Sequence, residues 1–455
     1  MANVLFSDLL SNIADRGRAL LRLKTWPRDP ASQASSLIDM CRALLTGRGE
    51  ATGVAIAAEI IDHYRLLDSQ ARSSFFAALA SEFGIDHDVF DKAMEKWKAA
   101  PDDRTAADLH YASEPRRLEL FRRLNRAPGG TQALVAMRAD LLPEIRANKA
   151  LAPINKDFSH LFASWFNRGF LVLRRIDWSS PASVLERIIR YEAVHEIHDW
   201  DDLRRRIDPP DRCCYAFFHP ALADEPLIFV EVALVEQIPD AIAPLLAQER
   251  AIVPPDRART AVFYSISNCQ AGLAGVTFGN FLIKQVVEEL RRELPRVETF
   301  VTLSPVPGFR AWLATAEDAP IGSQALPLLA SLDDPAWTQD AEAAERLRKI
   351  IEPLAAHYFL KARQPNGRIV DPVARFHLGN GARLERINWM GDLSRKGLKE
   401  SGGVMVNYLY DLDEIEKNHE AYANHGEVTA ANGVRRMLKG DRALFGIAPP
   451  SFAQG

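Results

Sequence analysis

The spacing of apolar residues changes character once along this chain, between Trp165 and Arg174, and that change restricts the folds open to it. Upstream, segments such as SLIDMCRALL, AAEIIDHYRLL and SSFFAALASEF repeat apolar residues three and four apart, the period of an amphipathic helix. Pro27 and Pro30, the stretch from Gly47 to Gly53, Gly84 and Pro101 stand between these segments as breakers. Short helices on short connections predict a bundle, and no fixed period points to a solenoid. Downstream, RGFLVLRRIDW, RCCYAFFHP, PLIFVEVAL, ARTAVFYSIS and VETFVTL read as strands. FLIKQVVEELRREL lies between the last two and is helical, and the segment from Asp318 to Leu360 reads as a helical insertion. The expected fold is α+β: an all-helical bundle over residues 1–168, then a mixed-sheet domain over residues 169–455.

Composition removes several classes of function. With 47% apolar and 25% charged residues the chain is a folded globular protein. A net charge of -4 and the lack of a dense basic stripe argue against a nucleic-acid partner. Arg204-Arg205-Arg206 and Arg435-Arg436 read as solvated helix faces. No apolar run approaches the roughly 20 residues of a spanning helix, so no membrane partner is expected. The first 21 residues read as an amphipathic helix, with Leu9, Leu10, Ile13, Leu20 and Leu21 broadly on one side. Asp8 and Asp15 argue against a mitochondrial transit peptide, and the final Ala-Gln-Gly is no peroxisomal address, so a cytoplasmic protein is expected. Cys41, Cys213, Cys214 and Cys269 form neither a disulfide framework nor a zinc pattern. His195-Glu-Ile-His198 lacks the four-residue His spacing of a zincin helix. No metal is expected.

The most informative local pattern is AVFYSISNCQAGLAGVTFGNFLIKQVVEEL. A strand over Ala261 to Ile266 runs into a turn with Gly272, Gly275 and Gly279. A helix then carries Phe281, Leu282, Ile283, Val286, Val287 and Leu290 on one stripe. Glycines ahead of a helix let backbone N–H groups approach an anion, and the helix dipole adds to the attraction. A tight turn needing positive φ explains the same glycines without a ligand. The turn ends Gly279-Asn280-Phe281, so it is no P-loop, and its spacing is not that of a dinucleotide fingerprint.

The stretch from Ala274 to Ile283 resembles the acyl-CoA pyrophosphate loop of the GNAT acetyltransferase superfamily. It departs from that motif at Ala274, where Gln or Arg is usual, and at Thr277, where the first Gly is usual. A longer set of blocks resembles the malonyl-CoA decarboxylase family: FYSIS, GL-x-GV, FLIK-x-VV-x-EL, LSPVPGF, and DPVARFHLGNGARLERINWMGDLSRKGLKESGGVMVNYLY. The resemblance implies a helical N-terminal domain followed by a GNAT-like catalytic domain. It implies conversion of malonyl-CoA to acetyl-CoA and CO2, without metal or organic cofactor, and a place in fatty acid and malonate metabolism. It also implies a homotetramer. Carried onto this sequence, the family's catalytic Ser is Ser304 in Ser304-Pro305-Val306-Pro307-Gly308-Phe309. Its His is His377 in Phe376-His377-Leu378-Gly379-Asn380-Gly381, and its Tyr is Tyr410 in Asn407-Tyr408-Leu409-Tyr410. The acyl-CoA loop falls on Ala274, Gly275, Val276, Thr277, Phe278, Gly279 and Asn280. Some family members carry a Glu where this chain has Thr277.

The residues themselves allow these roles. Ser304 follows an apolar run and precedes Pro305, which places it at a strand end opening into a loop. His377 follows Asp371-Pro372, a helix start, and Gly379 is placed to end that short turn. Taken alone, Ser304 reads as a turn residue, and His377 and Tyr410 as core. Lys284 and Arg310 are candidates for the CoA 3′-phosphate. Two other functions share the expected fold: acyl transfer from CoA to an amine, and non-catalytic acyl-CoA sensing.

Overall fold

The computed structural model describes residues 29–47, 49–276, 282–315 and 329–438. The expected N-terminal helix, Thr277 to Phe281, the start of the insertion and the C-terminal tripeptide lie outside the described residues. Two compact units emerge. One comprises Met1–Val172, Phe218–Leu227 and Gln270–Phe278; the other comprises Leu173–Phe217, Ile228–Cys269 and Gly279–Gly455.

The first unit is helical. Its described helices are α1 (Pro30–Thr46), α2 (Glu50–Leu66), α3 (Ser69–Glu82), α4 (His87–Ala99), α5 (Asp103–Ala112), α6 (Arg116–Leu124), α7 (Gly130–Ala147) and α8 (Ala152–Trp165). Aspartates start four of them. Asp29, Asp68, Asp86 and Asp102 each accept a backbone N–H from the first turn that no intrahelical carbonyl can take. Pro30 opens α1 rather than breaking a helix, because its missing N–H is not needed at that position. Gly53 also lies inside a helix, α2; the break is confined to the residues between Thr46 and Glu50. Buried Phe75, Phe76, Phe121, Phe158 and Phe162 fill the core, with Phe121 and Phe158 stacked at 4.2 Å.

The second unit is built on a mixed eight-stranded sheet. Its strands are β1 (Val172–Ile176), β2 (Arg212–Phe218), β3 (Pro226–Val235), β4 (Thr260–Asn268), β5 (Thr299–Thr302), β6 (Ser304–Pro305), β7 (Arg383–Asn388) and β8 (Met405–Leu409). They lie in the order β1-β2-β3-β4-β5-β8-β6, with β7 also paired to β8. The β4–β5 pair is parallel; β3 meets β4, and β8 meets its three partners, antiparallel. Helices α9 (Ala182–Tyr191), α10 (Trp200–Ile207), α11 (Ala243–Leu246), α12 (Leu282–Glu293), α13 (Phe309–Thr315), α14 (Ala341–Leu360), α15 (Pro372–Gly379), α16 (Arg395–Ser401), α17 (Ile415–His425) and α18 (Asn432–Met437) accompany it. The expected stripe of α12 is buried at Leu282, Ile283, Val286, Val287 and Leu290.

The β4–β5 pairing determines where a site can form. It runs from Thr260 against Thr299 to Phe263 against Thr302. Beyond Leu303 the chain pairs with β8 instead, Ser304 against Val406. Ser304 thus belongs to a two-residue strand, Ser304–Pro305, one residue past the end of β5, where a strand end opening into a loop was expected. Side chains alternate across a sheet. Val301 and Leu303 pack with Val262, Tyr264 and Met405, and Thr302 and Ser304 present the other face. Among the described residues no helix is long and apolar enough to cross a membrane. All four cysteines are free and buried.

Candidate active site

Asp371 and Pro372 start α15 as expected: the buried Asp371 carboxylate accepts the Ala374 N–H at 2.7 Å. Gly379 remains helical, and the left-handed turn comes two residues later at Gly381, with φ at 81°. The short helix carries His377 in its last turn. A tie to the Ser304 block steadies its start. The Tyr358 hydroxyl donates to Asp371 Oδ2 at 3.3 Å, and a Cβ on Gly308 would lie 2.8 Å from that hydroxyl. Gly308 leaves Tyr358 room to reach the cap of the helix that holds His377.

Ser304, His377 and Tyr410 come together as one hydrogen-bonded chain, although His377 and Tyr410 lie 73 and 106 residues beyond Ser304. His377 Nε2 is 3.1 Å from Ser304 Oγ, and Nδ1 is 2.7 Å from the Tyr410 hydroxyl. The Tyr410 N–H donates to Phe300 O at 2.8 Å, which fixes the phenol just past the end of β8. The Tyr408 ring, two residues earlier, stacks on the imidazole at 4.6 Å. All three polar side chains are buried, His377 to 3% exposure.

Ser304 Oγ donates to Thr302 Oγ1 at 2.8 Å. A serine has one proton, so with that proton on Thr302 its oxygen is open to an imidazole Nε2–H, and the ring tautomer sets which partner donates at Nε2 and at Nδ1. The contacts link Tyr410, His377, Ser304 and Thr302 in one chain. Burial is the sole cause that takes the His377 pKa down, to about 3, and burial pushes the Tyr410 phenol well above its ordinary value. Thr302 and Tyr408 were not singled out from the sequence. Strand alternation carried the signal, since residues two positions from Ser304 and from Tyr410 share their faces.

The expected acyl-CoA loop is described only in its first part. Ala274, Gly275 and Val276 follow a short turn over Ala271–Leu273, and Gly275 has φ at 75°. Thr277, Phe278, Gly279 and Asn280 lie outside the described residues. Gly272 answers to packing: a Cβ there would lie 1.8 Å from Val135 O of α7. Arg138 of α7, itself buried, donates to Gly272 O at 2.6 Å and to Ala274 O at 2.9 Å. Lys284 is paired with Glu416, and Arg310 with Asp333 and Leu332 O.

A second buried polar group lies on the face that carries Tyr264. Glu231 is fully buried, with one carboxyl oxygen 3.4 Å from Arg206 Nη1. Glu192 nearby accepts hydrogen bonds from Ser265, Ser267 and the backbone N–H groups of Val194 and His195. Burial first, then the Glu192 charge, push the Glu231 pKa up to about 8. Among the described residues the Tyr264 hydroxyl, Glu231 Oε1 and His195 Nε2 find no hydrogen-bond partner. Among the described residues no group of three or more His, Cys, Asp or Glu side chains is placed to hold a metal ion.

Residues 169–445 match the family described as the malonyl-CoA decarboxylase C-terminal domain, and residues 83–166 match its N-terminal domain. The crystal structure of malonyl-CoA decarboxylase from Rhodopseudomonas palustris is 56% identical with a TM-score of 0.86; the match covers 89% of this chain and 99% of that one. For the Cupriavidus metallidurans structure the identity is 37% and the TM-score 0.70, over the same shares. The mitochondrial malonyl-CoA decarboxylase of Rattus norvegicus is 33% identical, over 93% of this chain and 96% of that relative. Enzymes that remove CO2 from a carboxylated thioester are carboxy-lyases. The chain belongs to the malonyl-CoA decarboxylase family.

Proposed function

We propose that this protein converts malonyl-CoA to acetyl-CoA and CO2 without metal or organic cofactor, with Ser304, His377 and Tyr410 as its working residues. The observation that carries the reading is the buried, neutral chain through His377, with Nε2 3.1 Å from Ser304 Oγ. Loss of CO2 leaves an enolate whose charge sits largely on the thioester oxygen. Preorganised donors aimed at that oxygen contribute on the order of a few kcal/mol each. In a dry site fixed dipoles replace the hydration of the malonyl carboxylate.

The reaction consumes one proton for each CO2 formed. In the free enzyme His377 is neutral because burial is not offset by any negative charge among the described residues. The malonyl carboxylate supplies that charge, which raises the imidazole pKa and draws a proton onto the ring. Nδ1–H then donates to the Tyr410 oxygen, and Nε2–H faces the substrate beside Ser304. When CO2 leaves, the imidazolium gives its Nε2 proton to C2, which leaves a neutral ring with its proton on Nδ1; uptake of a proton at Nε2 and loss of the one on Nδ1 restore the resting tautomer. Ser304 acts as a hydrogen-bonding group and partner of His377; a serine alkoxide, costly without activation, is not needed.

The loop from Ala274 to Asn280 would take the CoA pyrophosphate through backbone N–H groups. Thr277 offers no carboxylate there. We place the domain boundary between residues 168 and 169, the enzyme in the cytoplasm, and its assembly as a homotetramer. Light scattering on the purified protein tests the last. The deciding experiment is purified protein with malonyl-CoA, following CO2 and acetyl-CoA. Equimolar appearance of both supports the reading. An acyltransferase would release CoA only with an acceptor present, and a sensor would bind the thioester and release no CO2.

A further inference from the structure

We infer that Thr302 is a positioning residue for this reaction: its hydroxyl sets the direction of the hydrogen-bond chain and so presents His377 with its proton on Nε2. The inference rests on the roles of Ser304 and His377 proposed above. Thr302 ends β5, has no exposed surface, and lies on the same face as Ser304. Its Oγ1 accepts two hydrogen bonds, from Ser304 Oγ at 2.8 Å and from the Tyr408 backbone N–H at 3.1 Å. A backbone N–H can only donate, and a β-branched side chain is stiff at χ1, so Oγ1 is held where it is as an acceptor. The Ser304 proton goes to Thr302, and the Ser304 oxygen is left to receive Nε2–H.

Removing the acceptor reverses the chain. Ser304 would then donate to His377 Nε2, and the ring proton would move to Nδ1 and the Tyr410 oxygen. Nε2 would then be an acceptor engaged by Ser304, and the proton drawn onto the ring would have to displace that hydrogen bond before Nε2–H could reach C2. A purely structural Thr302 would hold only the Tyr408 N–H, and its loss would not move the ring proton.

The test is 15N NMR of histidine-labelled protein near pH 7, with the His377 signals identified by their loss in His377→Asn, alongside kinetics with malonyl-CoA. The expected wild-type state is the Nε2–H tautomer. Thr302→Val should shift it to Nδ1–H and lower kcat by about 10²-fold, the scale of a misplaced catalytic group, with KM little changed. Thr302→Ser, which keeps the hydroxyl, should restore both the tautomer and most of the turnover. An Nδ1–H tautomer in the wild type overturns the inference, as does a Thr302→Val protein with unaltered tautomer and kcat. If Thr302→Val fails to fold, the wild-type tautomer and the Thr302→Ser kinetics still decide. Absence of malonyl-CoA turnover in the wild type would remove the proposed function and leave the tautomer measurement standing as a separate result.

Discussion

The two faces of the sheet around β4 and β5 hold buried titratable groups under opposite conditions. On the Ser304 face, the ring nitrogens of His377 and the Tyr410 hydroxyl are hydrogen-bonded, the stacked Tyr408 hydroxyl is not, and among the described residues no charged group shifts the imidazole. On the Tyr264 face, Glu231 shares its surroundings with Glu192, Asp202 and Arg206, and three polar atoms lack a partner among the described residues. The first group is neutral because burial disfavours the charged ring and no charge among the described residues offsets it, so an incoming carboxylate changes its state. The second already contains its charges, so its protonation answers to internal neighbours. Burial alone does not make a proton donor responsive to substrate; burial without a built-in counter-charge does.

The comparison predicts very different costs of substitution. His377→Ala should retain thioester binding and lose roughly 10²- to 10⁴-fold in kcat, the range for a lost general acid. Glu231→Gln should stay within a few-fold of wild type in the same CO2 assay. Equal losses would show that the two faces act together. Tyr410→Phe removes the partner of Nδ1, and a loss of about tenfold is expected, comparable to one hydrogen bond of about 1.4 kcal/mol. Near-normal rates in that variant would make Tyr410 a packing residue.

Proton uptake gives a smaller, counted effect. Binding of a non-hydrolysable malonyl thioester analogue that cannot decarboxylate should take up close to one proton per site at neutral pH. Calorimetry in buffers of different ionisation enthalpy reads this directly. His377→Gln should abolish it, and uptake that survives the substitution would assign the proton elsewhere.

The smallest effect is on stability, and its sign differs between the faces. His377 titrates near 3 folded against 6.5 ordinarily. Between those values the unfolded chain binds a proton that the folded chain lacks, so stability rises with pH and the gain is complete above about 6.5. Glu231 titrates near 8 folded against 4.5 ordinarily. There the folded chain holds the extra proton, so stability falls as pH rises through that window. Urea midpoints across pH should lose the acid-side slope in His377→Gln and the alkaline-side slope in Glu231→Gln. Slopes unchanged in both variants would place the titrations in other residues.

Much of the fold was legible because it follows from local chemistry. Asp371-Pro372 ahead of α15, the stripe of α12 and the apolar runs of β2 to β5 each point to the element formed. Strands β7 and β8 escaped notice: RLERIN is too charged for a buried strand, and MVNYL is short and sits behind Gly402-Gly403. Those strands bring the site together, since β8 pairs with Ser304 through Val406 and leads into Tyr410. No local pattern could have joined Ser304 to His377; the resemblance of whole blocks did. The Glu231 group was invisible for a similar reason. A single acid in PLIFVEVAL does not reveal an irregularity beside it, and the register shift between Glu231 and Val232 appears only once β3 and β4 are paired.

Arg138 carries one more consequence. Its guanidinium clasps the carbonyls of Gly272 and Ala274 from a helix 134 residues earlier in the sequence. A missense change at Arg138 would therefore release two carbonyls of a segment far from it in sequence. A chain that starts after the helical region would express a loop without its fastening. Surveys of natural variation should find these distant positions tolerating change together or not at all.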